Sequence, residues 1–161
     1  MRRQRMKGEE RRAQLLAVSA VQFARLGYEG AVTAGIARAA GIVEPTIYRH
    51  FSSKEDLFLD VTRRAAAELA ARIEEARPKS LEALDSWLRE EAASSPRLAL
   101  LGRLLAQARQ PPFRQAAQEA LASLDAALRG LGTRGRALVL SAALLAAAGL
   151  YVEPEEWAEA A

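Results

Sequence analysis

An all-α fold is the expectation for this chain of 161 residues, and three observations carry it. Apolar residues recur at three- and four-residue spacing along most of its length. No stretch alternates apolar and polar residues with a period of two. Proline, glycine and serine stand between the periodic segments where helices start or stop. The length allows a sizeable core but is short for two independent domains, so the expected division is a three-helix head, residues 1–53, fused to a larger helical bundle, residues 54–161.

The first helix is expected from about Glu9 to Leu26, with Leu16, Ala20, Phe23 and Leu26 at helical spacing, and Gly27 ends it. Tyr28-Glu29-Gly30 then leads into TAGIARAAG, residues 33–41, where Ile36, Ala37 and Ala40 give a short helix a narrow apolar face and Gly41 stops it. Pro45 lacks a backbone donor and has a fixed φ, so it belongs in the first turn of a second short helix. Ile47 and Phe51, four apart, face the protein, which leaves Tyr48, Arg49 and His50 for the other side. Ser52 and Glu55 read as a capping box, with Asp56 adding negative charge to the first turn. The long helix behind them runs from Lys54 to about Ala76 on Leu57, Val61, Ala65, Leu69 and Ile73, until Arg77-Pro78 stops it.

The body continues in the same manner. Ser80 precedes a helix carrying Leu81, Leu84 and Leu88. Ser95-Pro96 reads as a cap followed by proline at the first helical position, ahead of Leu98, Leu101 and Leu105; Pro111-Pro112 breaks the chain before Phe113, Ala117, Leu121, Leu124 and Leu128. Residues 137–152 are nearly apolar all round but shorter than the about 20 residues a membrane span needs, so a helix buried on several sides is expected. Glu153-Pro154 restarts a short helix with Trp157.

Two short helices joined by a tight glycine-containing turn make a helix–turn–helix, whose second helix enters the DNA major groove. The run from Gly27 to Leu57 resembles the N-terminal domain of TetR-family transcriptional regulators, through Gly27-Tyr28, Ile36-Ala37, Ala40-Gly41-Ile42, Tyr48-Arg49-His50-Phe51 and Lys54-Glu55-Asp56-Leu57. The resemblance covers about the first third of the chain. Members usually carry Ser or Thr where this chain has Val32 and Val43, so helix caps must come from Thr33 or Glu44 or be weaker. Gly35 replaces a commonly charged position, at about 1 kcal/mol relative to alanine inside a helix.

The resemblance implies that Pro45, Thr46 and Arg49 face bases, that Thr33, Tyr48, His50 and Lys54 contact phosphates, and that Glu44 does either or caps. It further implies a homodimer formed through late helices, residues 112–152, acting on a palindromic double-stranded operator, most simply as a repressor. It also implies an apolar effector pocket in the body, for which Leu69, Leu84, Trp87, Leu88, Leu101, Leu105 and Phe113 are the candidate lining. The plain alternative for those side chains is core. The rival for the whole chain is an all-α small-molecule-binding protein whose basic head has no DNA function.

Charge agrees with the first reading. Residues 1–54 hold ten Lys and Arg against four Asp and Glu, and the remainder thirteen against sixteen, so the net charge of +3 conceals a basic head. A positive patch supplies the salt-dependent part of DNA affinity by releasing counterions. The arm Arg2, Arg3, Arg5, Lys7 reads as a phosphate or minor-groove contact, or as a solvated tail.

Other chemistries find little support. With no cysteine there is no disulfide, thiolate zinc site or cysteine nucleophile, and the composition, with no signal-like N-terminus, fits a cytoplasmic protein. His50 is the single histidine, so no His-based metal cluster or catalytic triad can be assembled elsewhere. Glu74-Glu75, Glu90-Glu91 and Glu155-Glu156 are adjacent on helices and point apart. Gly130-Leu131-Gly132-Thr133-Arg134-Gly135 has the letters of a dinucleotide motif but lacks the preceding strand, so it reads as an interhelical turn. No cofactor, metal or catalytic residue is expected.

Overall fold

The computed structural model describes residues 8–150, which form α1 (Gly8–Gly30), α2 (Thr33–Ala39), a 3-10 helix η1 (Glu44–Arg49), α3 (Lys54–Ala76), α4 (Leu81–Ser94), α5 (Arg97–Gln107), α6 (Pro111–Ala127) and α7 (Gly132–Ala147). No strand occurs among the described residues. The basic arm Arg2–Lys7 and the segment with Tyr151, Glu153, Pro154 and Trp157 lie outside them.

The helix boundaries follow local chemistry. α1 runs on to Gly30 but is broken at Gly27, whose φ of 72° and ψ of 178° suit glycine alone. α2 closes in a Schellman turn: Gly41 takes φ 66°, its N–H donates to Arg38 O at 3.1 Å, and the Ile42 N–H donates to Ala37 O at 3.0 Å. The cap of α3 lies one residue later than the expected box, at Ser53, whose Oγ accepts from the Asp56 N–H at 3.0 Å. Asp56, not Glu55, reaches back to accept from the Ser52 N–H and hydroxyl, at 2.9 and 3.0 Å, because with Ser53 as the cap it is Asp56 that stands at the third helical position. Similarly Pro96 is the cap of α5 and not its first helical residue; Ser95 Oγ accepts the Arg97 N–H at 3.1 Å. The glycines at 130–135 form the α6–α7 turn and the first turn of α7, which starts five residues before the apolar run.

α5 is the hub, packed against α1, α3, α4, α6 and α7. Gly102 explains its approach to α7: a Cβ there would lie 2.3 Å from Ala143 O and 2.7 Å from Ala147 Cβ. One continuous core joins head and body, running from Leu15, Ile36, Ile47 and Phe51 to Leu69, Leu101, Leu124 and Val139. At its centre Phe23, Tyr28, Phe58 and Phe113 pack edge to face or tilted with centroids 4.9–5.5 Å apart, tying α1, α3 and α6 together. Glu91 of α4 is buried between two arginines, Arg72 of α3 at 3.0 Å and Arg97 of α5 at 2.8 Å.

The head is anchored to the body at the α1 break. Arg103 of α5 donates from Nε to Ala24 O at 3.2 Å and from Nη2 to Arg25 O at 3.1 Å, the carbonyls just before the break. Its stem lies against the open face of Gly27, where a Cβ would stand 3.5 Å from the guanidinium. Partial burial lowers the Arg103 pKa from its usual range, yet arginine stays charged at ordinary pH.

Candidate nucleic-acid interface

The 3-10 helix η1 owes its orientation to what lies beneath and beside it. Ile47 is fully buried and Phe51 is 2% exposed, both in the core under α1 and α2. Burying two such side chains stabilises the seating by roughly 3–6 kcal/mol. Fixing them leaves Pro45, Tyr48 and Arg49 exposed, with Thr46 and His50 half-exposed at the margin.

A polar latch sets the angle between α2 and η1. The Thr33 hydroxyl, 9% exposed as a residue, donates to the Glu44 carboxylate, and its oxygen stands 3.2 Å from the Tyr48 hydroxyl. Thr33, expected at a phosphate, and Glu44 thus bond to each other in the DNA-free chain. Glu44 links the two helices without making a side-chain cap for η1. Tyr48 presents its ring outward and steadies it through the hydroxyl.

Lys54 also turns partly inward. Its ammonium donates to Tyr28 O at 2.9 Å and to Ala31 O at 3.3 Å, and sits 4.4 Å from the centre of the Tyr28 ring. This pins the loop between α1 and α2 to the first turn of α3. The Tyr28 phenol is raised above its ordinary pKa, first by burial and then by the carboxylates of Glu55 and Glu29, so it stays neutral under Lys54. Arg12 is similarly engaged, paired with Asp60 and lying 4.8 Å over the Phe51 ring.

The outer charge of the motif therefore rests on Arg49 and on Arg38, an exposed residue in the last turn of α2 that the sequence reading did not single out. Neither has an ion-pair partner among the described residues. The signal for Arg38 was there: Ile36 and Ala37 face inward, so the next residue cannot.

The candidate lining residues of an effector pocket lie in or against the core. Leu69, Leu84, Leu88 and Phe113 are fully buried, Leu101 is nearly so, and Trp87 and Leu105 pack against the same core. None of the seven lines any of three cavities found in the fold. A cavity of about 310 Å³ lies instead between α1, α3 and the start of α5, with Leu16, Ala20, Val61, Ala65 and Leu100 among its apolar walls and Arg64, Glu68 and Arg97 among its polar ones. Among the described residues no group of three His, Asp or Glu is placed to hold a metal ion, and no helix is long and apolar enough to cross a membrane.

Residues 15–61 match the profile of bacterial regulatory proteins of the tetR family. Over 72 residues the chain is 39% identical to the HTH-type transcriptional activator FasR of Mycolicibacterium smegmatis, a match over 45% of this chain and 33% of that protein. Over 60 residues it is 40% identical to the HTH-type transcriptional repressor AcnR of Corynebacterium diphtheriae, over 37% of this chain and 32% of that one. The matched stretch thus spans about a third of these curated relatives. The fold agrees along nearly the whole chain with a TetR-family transcriptional regulator from Agrobacterium tumefaciens, at a TM-score of 0.71 and 19% identity over 95% of this chain and 94% of that one.

Proposed function

We propose, from the match of residues 15–61 to the tetR-family profile, that the chain is a sequence-specific DNA-binding transcriptional regulator, acting as a homodimeric repressor on a palindromic operator. The observation that supports this best is the division of η1: Ile47 and Phe51 locked beneath, Pro45, Tyr48 and Arg49 exposed above, with Arg38 beside them. In this reading η1 enters the major groove. Arg49, Thr46 and Pro45 meet base edges and carry specificity, while Tyr48, His50 and Arg38 meet phosphates and fix register. Thr33, Glu44 and Lys54 hold the reading surface in place.

The second copy is assigned to α7. Val139, Ala142, Ala143 and Ala146 face the rest of the body, whereas Ser141, Leu144, Leu145 and Ala148 form an exposed stripe at helical spacing. Two such stripes bury each other's leucines and set the recognition helices about 34–36 Å apart, one turn of DNA. Effector response is assigned to the α1–α3–α5 cavity, since an apolar molecule there touches head and body together and so binds one head angle better than another.

Selection of bound duplexes from a random pool by the full chain tests the proposal. Two inverted half-sites with centres about ten base pairs apart are expected. Recovery of no enriched sequence would leave the protein as an all-α ligand-binding protein with an incidental basic head.

A further inference from the structure

Val43 stands immediately before Glu44-Pro45 as the N-cap of η1, in extended backbone with φ −87° and ψ 144°, and makes no side-chain cap. It is also 69% exposed, so it packs on little of the protein. The exposure is unfavourable in the free molecule, because the methyl groups remain in water. The missing side-chain cap matters little, since Pro45 has no N–H and the Thr46 N–H already donates to Val43 O at 2.9 Å. No contact among the described residues of the head covers the valine.

The place of the side chain suggests what does. Residues at the N-terminal end of a recognition helix are those that meet base edges. The edges in the major groove are polar except for the C5-methyl of thymine, which apolar side chains contact. Building on the DNA-binding reading above, we infer that Val43 is a specificity-determining residue that packs its methyl groups against the methyl of a thymine in each half-site. Val32, 58% exposed at the cap of α2, provides the contrast. It belongs to the helix that crosses the sugar–phosphate backbone, which offers no methyl group.

The test uses the full chain and its selected operator, with each thymine of a half-site replaced in turn by deoxyuridine, a change that removes the methyl alone. For the unsubstituted protein, one position is expected to weaken binding about fourfold, the value of one buried methyl group. Val43→Ser should remove that difference while leaving the melting temperature near that of the parent, because the side chain is exposed. Val32→Thr should leave it intact. Uniform indifference to deoxyuridine, or a thymine preference that survives in Val43→Ser, overturns the inference while leaving DNA binding untouched. Failure to select any operator overturns the DNA-binding reading, and this inference with it.

Discussion

Replacing Arg103 by Met tests how the head is held. The substitution keeps most of the stem against Gly27 but removes both hydrogen bonds to the α1 carbonyls of Ala24 and Arg25. Hydrogen bonds from a charged donor contribute about 1.5–3 kcal/mol each. Arg103 is only partly buried, and water can replace it at part of the site, so the pair is discounted to about 2–3 kcal/mol in total. In urea unfolding, with a slope on the order of 2 kcal/mol/M, this moves the midpoint down by about 1 M at unchanged slope. Operator affinity should fall on every sequence alike, because the head loses its fixed angle. The salt dependence should stay as it was, since no phosphate contact is lost. Arg103→Lys should recover part of the stability through one remaining donor. A midpoint for Arg103→Met within about 0.2 M of the parent, or under 0.5 kcal/mol on that slope, together with unaltered binding would refute this account of the head–body joint.

Three further outcomes follow from other contacts. Lys54→Met should lower the melting temperature and weaken binding to all sequences while leaving the salt slope unchanged, because the ammonium is engaged with Tyr28 O and Ala31 O; a slope smaller by about one would return it to phosphate contact. Glu91→Ala should cost about 1–3 kcal/mol in denaturant unfolding, since Arg97 loses its buried partner while the half-exposed Arg72 keeps its water, and no measurable loss would contradict that reading. Tyr28 has a raised folded pKa, so its contribution is whole below the ordinary phenol value of 10.0 and is lost as pH climbs through the folded value. Melting temperature against alkaline pH should therefore fall less steeply in Tyr28→Phe than in the parent, and parallel curves would remove Tyr28 as a cause.

Much of the fold could be read from the residues because its signals are local. The Lys54–Ala76 helix is bounded as expected, since Ser53 and Asp56 start it and Pro78 forbids its continuation. The helix–turn–helix is legible for the same reason: Gly41, Pro45 and the Ile47–Phe51 pair each act within one turn. What escaped depends on partners distant in sequence. Arg103 meets carbonyls 79 and 78 residues away, and nothing near it distinguishes it from a solvated arginine. Thr33 and Lys54 share the motif's spacing, yet their hydroxyl and ammonium turn to Glu44, Tyr28 and Ala31 through a geometry only the folded head defines. Leu69, Leu84, Leu88 and Leu101 read equally as pocket lining or as core, because helical spacing says which face is apolar and not whether the space beyond is filled.

The central claim is that the outer face of η1 reads DNA in two symmetric copies, and a hydroxyl-radical footprint of the full chain on its selected duplex meets it most directly. Two protected patches one helical turn apart, on one face of the duplex, are expected, and both should vanish when Tyr48 and Arg49 are replaced by Ala in a protein that still folds. A single patch, or protection that persists in that double variant, would contradict the account.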